Sequence, residues 1–271
     1  MPSTESKVVL ITGASSGLGL AAARRLHSAG HRVYGASRTL APGEAFAGLI
    51  MDVDNDGSVE RGAADIVSRE GRIDVLVNNA GFGYAGSIED LTLEEARGQF
   101  ETNYFGALRL CRAVLPVMRR QRQGLIVNVT SIGAHIALPY QAHYTASKLA
   151  LEGMSQALRM EVGRFGVRVV VVAPGDFCSG FTEHRKRGSR AGGPSAYTSS
   201  YESALNVIER DERTGMQPVC FGMLLERIVR SPHPRPRYVI GPAFERLALR
   251  LKGILSASWI ESGVRWYYRV G

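Results

Sequence analysis

The chain predicts an α/β fold: one doubly wound parallel sheet of about seven strands, followed by a C-terminal helical extension. Three observations carry this expectation. Between residues 7 and 174, short apolar runs alternate with stretches of helical period. Those runs are apolar on both faces, as strands covered by helices on both sides must be. A glycine-rich loop separates the first run from the first helical stretch. At 271 residues the chain suits one large domain, since α/β folds of about 200 to 250 residues routinely form one.

In chain order, residues 7–11 read as a buried strand, 17–29 as a helix and 31–36 as a second strand. The link 38–48 is about as short as a parallel crossover allows, and Pro42 and Gly43 interrupt it, so no full helix is expected there and that sheet edge is expected to be thinly covered. Residues 49–52 follow, then a helix around 58–69 and an apolar strand at 73–77 ending in Asn78 and Asn79. Helical period runs from 93 to about 120, a strand from 125 to 129, a helix from about 140 to 164, and a strand from 167 to 173. Beyond Pro174 the texture changes: residues 182–200 are polar, basic and glycine-rich, and read as a mobile loop. Helices return at 201–213 and 218–230. Pro232, Pro234 and Pro236 then stiffen a connector into a last short strand at 237–240. Residues 243–271 read as one or two amphipathic basic helices.

Composition narrows the function classes. With 45% hydrophobic residues the chain is neither disordered nor collagen-like. Cys111, Cys178 and Cys220 are odd in number and scattered, which supports neither a disulfide framework nor a zinc site; a reducing, cytoplasmic setting fits, and no metal is expected. Residues 1–6 are polar, so no signal peptide is expected, and no apolar run is long enough to span a bilayer. The net charge of +8 comes almost wholly from arginine. No zinc-finger, basic-zipper or ribonucleoprotein pattern accompanies it, so no nucleic-acid partner is expected.

The loop Thr12, Gly13, Ala14, Ser15, Ser16, Gly17, Leu18 and Gly19 stands between a strand and a helix. Glycines there let the backbone approach a pyrophosphate, and the helix N-terminus presents free amides and a positive dipole end. An acid at the end of the second strand would hold ribose hydroxyls and repel a 2′-phosphate, yet residues 31–43 contain none. Ser37 and Arg38 stand there instead. A guanidinium can pair with a phosphate, which favours NADP(H); the alternative is a solvated surface arginine. Further on, Tyr144 and Lys148 lie at i and i+4, one turn apart on one helix face. A neighbouring cation lowers a phenol's pKa, which makes Tyr144 a candidate general acid for a ketone or base for an alcohol. Ser131, just past the strand at 125–129, offers a hydroxyl at the carboxyl edge of the sheet, where ligands bind in such folds.

Taken together, the glycine loop, Asn78-Asn79-Ala80-Gly81, Asn103, Ser131, Tyr144-x-x-x-Lys148 and Pro174-Gly175, in this order, resemble the short-chain dehydrogenase/reductase family over about residues 7–181. The resemblance implies a single-domain Rossmann fold with strand order 3-2-1-4-5-6-7 and hydride transfer at a nicotinamide. It implies that Tyr144 donates or accepts the proton, Lys148 holds the nicotinamide ribose and tunes Tyr144, Ser131 orients the carbonyl, and Asn103 anchors a proton-relay water. By the same resemblance Asp52 and Val53 contact the adenine, Asn79, Ala80 and Gly81 form the central strand loop, and Thr130 lies beside the nicotinamide. Pro174, Gly175, Phe177 and Ser179 fall where relatives bind the carboxamide. Phe177 is bulkier than the aliphatic residue common there, and Ser179 or Thr182 would have to replace the usual threonine.

Substrate contacts are expected from residues 83–87, 133–143 and the segment 177–230. Phe82, Tyr84, Ala134, Ile136 and Leu138 suit a hydrophobic alcohol or ketone better than a sugar, and His135 and His143 are candidate polar contacts. His184, Arg185, Lys186, Arg187 and Arg190 either attract a phosphate-bearing thioester or an acidic carrier, or form a solvated loop. In the tail, aromatic and aliphatic residues alternate with Arg246, Arg250, Lys252, Arg265 and Arg269, as in a helix lying on an anionic membrane surface or one capping a cleft or subunit. The strand at 237–241 followed by such helices resembles steroid and retinol dehydrogenase-like members. The expectation is therefore a dinucleotide-binding and catalytic domain over 1–241 and a helical tail over 242–271. The chain would act as an NADP(H)-dependent carbonyl reductase or alcohol dehydrogenase on a hydrophobic substrate. It would be cytoplasmic or membrane-peripheral, and a homodimer or homotetramer. The alternatives are a 3-oxoacyl thioester reductase and a non-catalytic NADP(H)-binding redox sensor.

Overall fold

The computed structural model describes residues 6–39 and 43–270. In chain order the elements are β1 (Val8–Thr12), α1 (Gly17–Ser28), β2 (Arg32–Ser37), β3 (Ala47–Ile50), α2 (Asp56–Glu70), β4 (Val75–Asn78), β5 (Tyr84–Ala85), α3 (Leu93–Phe100), α4 (Ala107–Gln121) and β6 (Gly124–Val129). There follow α5 (Ala142–Val162), β7 (Val167–Pro174), α6 (Phe181–His184), β8 (Lys186–Arg187), α7 (Thr198–Thr214), α8 (Pro218–Arg230), β9 (Arg237–Ile240), α9 (Ala243–Leu251) and α10 (Ala257–Tyr267). Seven strands form one sheet in the order β3-β2-β1-β4-β6-β7-β9, and every pairing is parallel. The expected doubly wound sheet and its strand order are both present.

Strand alternation builds two cores. Val9 and Ile11 point to the face covered by α1 and α8, where Ala22, Leu26, Phe221, Leu225 and Ile228 are buried. Val8 and Leu10 point to the other face, beneath Ile66 of α2, Leu110 and Val114 of α4, and Leu158 of α5. No helix lies between β2 and β3 among the described residues, and β3 is largely exposed, Ile50 at 68%. Residues 40–42, Pro42 included, lie outside the described residues, as does Gly271.

Two expectations change. The single helix read across 93–120 is broken by a π-helical turn, Glu101–Gly106, between α3 and α4. A side chain at Gly106 would meet Val53 Cγ2 at 2.9 Å, so the chain passes close here, and the wider turn carries Asn103 inward to 1% exposure. The polar stretch 182–200, read as a mobile loop, is partly regular and hydrogen-bonded to its neighbours. β8 runs parallel to β5, and the Lys186 and Gly188 amides donate to the Gly83 and Ala85 carbonyls, each at 2.9 Å. The Ser189 amide donates to Glu95 Oε1 at 2.8 Å, and the Ser195 hydroxyl to Asp90 Oδ2 at 3.1 Å. Polar groups that composition would leave to water are thus satisfied by the β4–α3 connection and the start of α3.

Helix α5 buries an unusual face. Ser147, Lys148, Glu152 and Ser155 all fall on its inner stripe with Tyr144 and Leu151, and each polar group has a partner. The deepest link runs from Asn78 Nδ2 to Asn128 Oδ1 at 2.8 Å, and from Asn128 Nδ2 to Ser155 Oγ at 2.8 Å, joining β4, β6 and α5 through fully buried groups. Asn128→Ala removes the shortest hydrogen bond of the Asn78 amide, leaving it only long contacts to the Ala107 carbonyl and Cys111 Sγ, and opens a gap in the core. The expected cost is about 2 kcal/mol, read as a lower urea midpoint; a loss below about 0.5 kcal/mol, the scale of an ordinary surface change, would contradict the role given to this link.

Candidate active site

The loop after β1 is held from beneath by β4. Thr12 Oγ1 accepts the Asn79 and Ala80 amides at 3.0 Å each, and Asn79 Nδ2 donates to the Thr12 carbonyl at 3.0 Å. Gly17 has φ +53°, and a Cβ there would lie 2.6 Å from the Ser179 carbonyl, so only glycine fits. Ser16 caps α1 without a side-chain hydrogen bond, and the first turn holds no acid. Its amides and positive dipole end are therefore available to an anionic group such as a pyrophosphate.

The four candidate catalytic residues converge near the ends of β4 and β6. Lys148 Nζ donates to the Val129 carbonyl at 2.9 Å and lies 6.0 Å from the Tyr144 ring centre. Ser131 Oγ accepts the Gly133 amide at 2.9 Å, and its hydroxyl hydrogen-bonds the Tyr144 hydroxyl. Asn103 sits behind them: its Nδ2 donates to Ser147 Oγ at 3.0 Å and to the Phe82 carbonyl at 3.1 Å, while its Oδ1 accepts the Phe82 amide at 3.1 Å. Electrostatics corrects one expectation. Burial pushes the Tyr144 hydroxyl up to about 12, outweighing the lowering by Ser131 and Arg185, while burial brings Lys148 down to about 8. Tyr144 is therefore a protonated phenol at neutral pH, because desolvation dominates over the groups that lower its pKa.

A cavity of about 950 Å³ connects these groups. Gly13, Ser15, Ser16, Gly17 and Leu18 line it, as do Ser37, Arg38, Asp52, Val53, Asn79, Ala80 and Gly81. So do Thr130, Ser131, Tyr144, Lys148, Pro174, Gly175, Phe177 and Ser179. Two candidates do not. Gly19 packs against the Gly13 carbonyl and Asn79, and Asn103 is covered by Phe82 and Ser147, so both shape the site from behind. Phe177 turns its ring into the core against Phe221, with ring centres 6.5 Å apart. Ser179 reaches the cavity, whereas Thr182 is held by Glu212 Oε2 at 2.5 Å.

Several substrate expectations are also redrawn. His135 Nε2 lies 2.6 Å from Glu152 Oε2, a hydrogen-bonded contact that ties its loop to α5, and neither His135 nor His143 lines the cavity. Arg185 is buried and pairs with Glu212, Arg187 pairs with Glu202, and Lys186 lies 4.7 Å over the Phe82 ring. Most of that basic stretch is therefore engaged within the fold. Sequence reasoning missed Phe181, whose ring centre is 5.7 Å from that of Tyr144, and the carboxyl pair Asp176 and Glu245, both in the cavity lining. Nothing local announces this pair, because its members are brought together only when α9 folds back over the end of β7. Among the described residues no group of three or more His, Cys, Asp or Glu is placed to hold a metal ion, and no helix is long and apolar enough to cross a membrane.

A family model described as short chain dehydrogenase matches residues 7–189. The chain belongs to the short-chain dehydrogenase family. It is thus an oxidoreductase acting on CH–OH and C=O groups, and the expected family resemblance is confirmed. It is 41% identical over 269 residues, 98% of this chain and 99% of the relative, to a 3-ketodihydrosphingosine reductase of Bacteroides thetaiotaomicron. Among solved structures it resembles a Thermococcus sibiricus alcohol dehydrogenase complexed with 5-hydroxy-NADP, at TM-score 0.72 and 25% identity, covering 89% of this chain and 98% of that one. It also resembles a Burkholderia phymatum short chain dehydrogenase/reductase in complex with NAD, at TM-score 0.78 and 25% identity, covering 93% and 94%.

Proposed function

We propose that this short-chain dehydrogenase is a reductase of long-chain amino ketones of the sphingoid type, with Tyr144 as the proton donor. The observation that carries this is one continuous cavity, with Tyr144 and Ser131 in one part and the apolar residues Phe244, Leu251, Leu255 and Trp259 of the C-terminal segment in another. A polar reacting end and an alkyl chain both find matching surfaces there. The full-length likeness to the Bacteroides reductase supports a sphingoid ketone over the steroid or retinol types that the sequence resemblance brings in.

The enzyme is NADP(H)-dependent. The shared fold accommodates either nicotinamide cofactor, so the end of β2 decides: Arg38 lines the cavity there, and among the described residues no carboxylate pairs with it. The glycine loop and the free amides of α1 fit the pyrophosphate. Lys148, with N–H groups left after its bond to Val129, fits the ribose hydroxyls. The bound cofactor supplies hydride to the carbonyl carbon. Tyr144 gives its proton to the carbonyl oxygen, and Ser131, beside the Tyr144 hydroxyl, donates its O–H to the same oxygen. Asn103 acts by position, fixing the Phe82 backbone against α5. A thioester reductase is less well supported, because Arg185 and Arg187 are paired internally. A pure sensor would have no use for the buried acid–base pair.

In functional terms residues 1–241 hold cofactor and chemistry, the segment near 177–230 shapes the substrate end, and 242–271 complete the cavity. The tail leaves Ile254, Trp259 and Trp266 exposed at 82%, 73% and 82%, close in sequence to Arg250, Lys252 and Arg265. This pattern supports contact with an anionic lipid surface from which a long-chain substrate enters. Exposed Leu149 and Met160 on α5 support self-association into a dimer or tetramer.

With 3-ketodihydrosphingosine as substrate, NADPH oxidation followed by absorbance is expected to exceed NADH oxidation about tenfold or more in kcat/KM, and Arg38→Ala to collapse that preference. Equal use of NADH, or no turnover of long-chain ketones with either cofactor, would contradict the reading. The pH profile follows from Lys148. Its ammonium is present below about 8 and lost above it, so kcat/KM for NADPH, which reports the ligand-free enzyme, falls as pH rises through about 8. A profile that stays level well above that point would show that the charge does not matter.

A further inference from the structure

Asp176 and Glu245 meet in the lining of the cavity that holds Tyr144. Asp176 follows the end of β7, and Glu245 stands in the first turn of α9. The backbone has been cleared for their meeting. A Cβ on Gly241 would come within 2.7 Å of Glu245 Oε2, and one on Gly175 closer still, so two glycines form the notch through which the Glu245 carboxyl reaches the Asp176 amide, 3.2 Å from each oxygen. Glu245 is 9% exposed.

What distinguishes this pair from its acidic neighbours is the absence of a counter-charge. Glu212 is paired with Arg185, and Asp211 with Arg210 and the Tyr267 hydroxyl. Among the described residues no lysine, arginine or histidine forms an ion pair with Asp176 or Glu245. Two buried carboxyl groups in contact and without a cation are costly. Burial first, then the hydrogen bond to and the charge of Glu245, push Asp176 up to about 9, while burial raises Glu245 against the lowering by its hydrogen bonds with Asp176, so the pair shares a proton and keeps one negative charge. That charge lies close to the chemistry: Asp176 lines the same cavity as Ser131 and Tyr144, and its neighbour Gly175 packs against Ile132, which follows Ser131 in the chain.

We propose that Asp176 and Glu245 are specificity-determining residues that bind the protonated amino group of the substrate. The inference rests on the preceding functional reading and deepens it. In a 2-amino-3-ketone the ammonium sits on the carbon next to the carbonyl, so its recognition site must lie beside the group that protonates the carbonyl oxygen. The ammonium replaces the shared proton as the partner of the two carboxylates, and the proton leaves to solvent. Glu245 belongs to the same helix as Phe244, Ala248 and Leu251 of the apolar wall, so α9 reads both ends of the amino ketone.

The test compares 3-ketodihydrosphingosine with the same 1-hydroxy-3-ketone lacking the amino group, using NADPH and the full chain. The readout is the ratio of the two kcat/KM values. Because both substrates are measured on one preparation, any loss of folded protein in a variant cancels. The wild-type protein is expected to favour the amino ketone, and Glu245→Gln and Asp176→Asn each to lower the ratio about tenfold. A wild-type ratio near one, or a ratio unmoved in both variants, would overturn the assignment and leave the pair as a proton-sharing latch for α9, with the sphingoid reading intact. Reduction of the amine-free ketone with none of the amino ketone would overturn the sphingoid reading and this inference together.

Discussion

Everything in the site depends on helix α5 burying a polar face against the sheet. A helix normally buries apolar residues, and four polar side chains on its inner stripe would be prohibitively costly without partners. Here each has one. Ser147 meets Asn103, Lys148 meets the Val129 carbonyl, Glu152 meets His135, and Ser155 meets Asn128. Because these bonds can form in only one register, they fix the height and rotation of α5, and with them the positions of Tyr144 and Lys148. Hydrogen bonding gives this helix its placement, while Leu151 and Leu158 supply the apolar contact.

The same logic extends outward from the carboxyl edge of the sheet. β1 and β4 end side by side, so Thr12 can hold the amides after β4, and the glycine loop is set at the height of the α1 amides. β7 and β9 also end together, which carries the chain into α9 directly over Gly175. The tail is thereby part of the cavity wall, and the reacting groups are desolvated enough to hold a phenol protonated and an ammonium weakened.

Much of this was legible in the sequence where the signal is local. Apolar runs marked six of the seven strands of the main sheet, while residues 49–52, given no type, overlap only the end of β3, and the Tyr144–Lys148 spacing depends only on helical geometry. The π-helical turn at Asn103 was not legible, because helical period continues across it; contacts with Val53 and Phe82, distant in sequence, select the extra residue. Composition misjudged residues 182–200, whose polar groups find partners on residues 83–95 that no local rule can supply. The expected lowering of the Tyr144 pKa is reversed, because burial, which spacing does not reveal, outweighs the lowering by Ser131 and Arg185. Glu245 carried no signal at all, being an acid on a tail helix until the fold sets it against Asp176.

The central claim is that the phenol of Tyr144 delivers the proton while the rest of the site binds and aligns. It is tested most directly by Tyr144→Phe, measured in single-turnover NADPH oxidation with 3-ketodihydrosphingosine and in NADPH titration. The account predicts a loss of about a thousandfold or more in the chemical step, with NADPH affinity close to that of the wild-type protein. Turnover within about tenfold of wild type would contradict it.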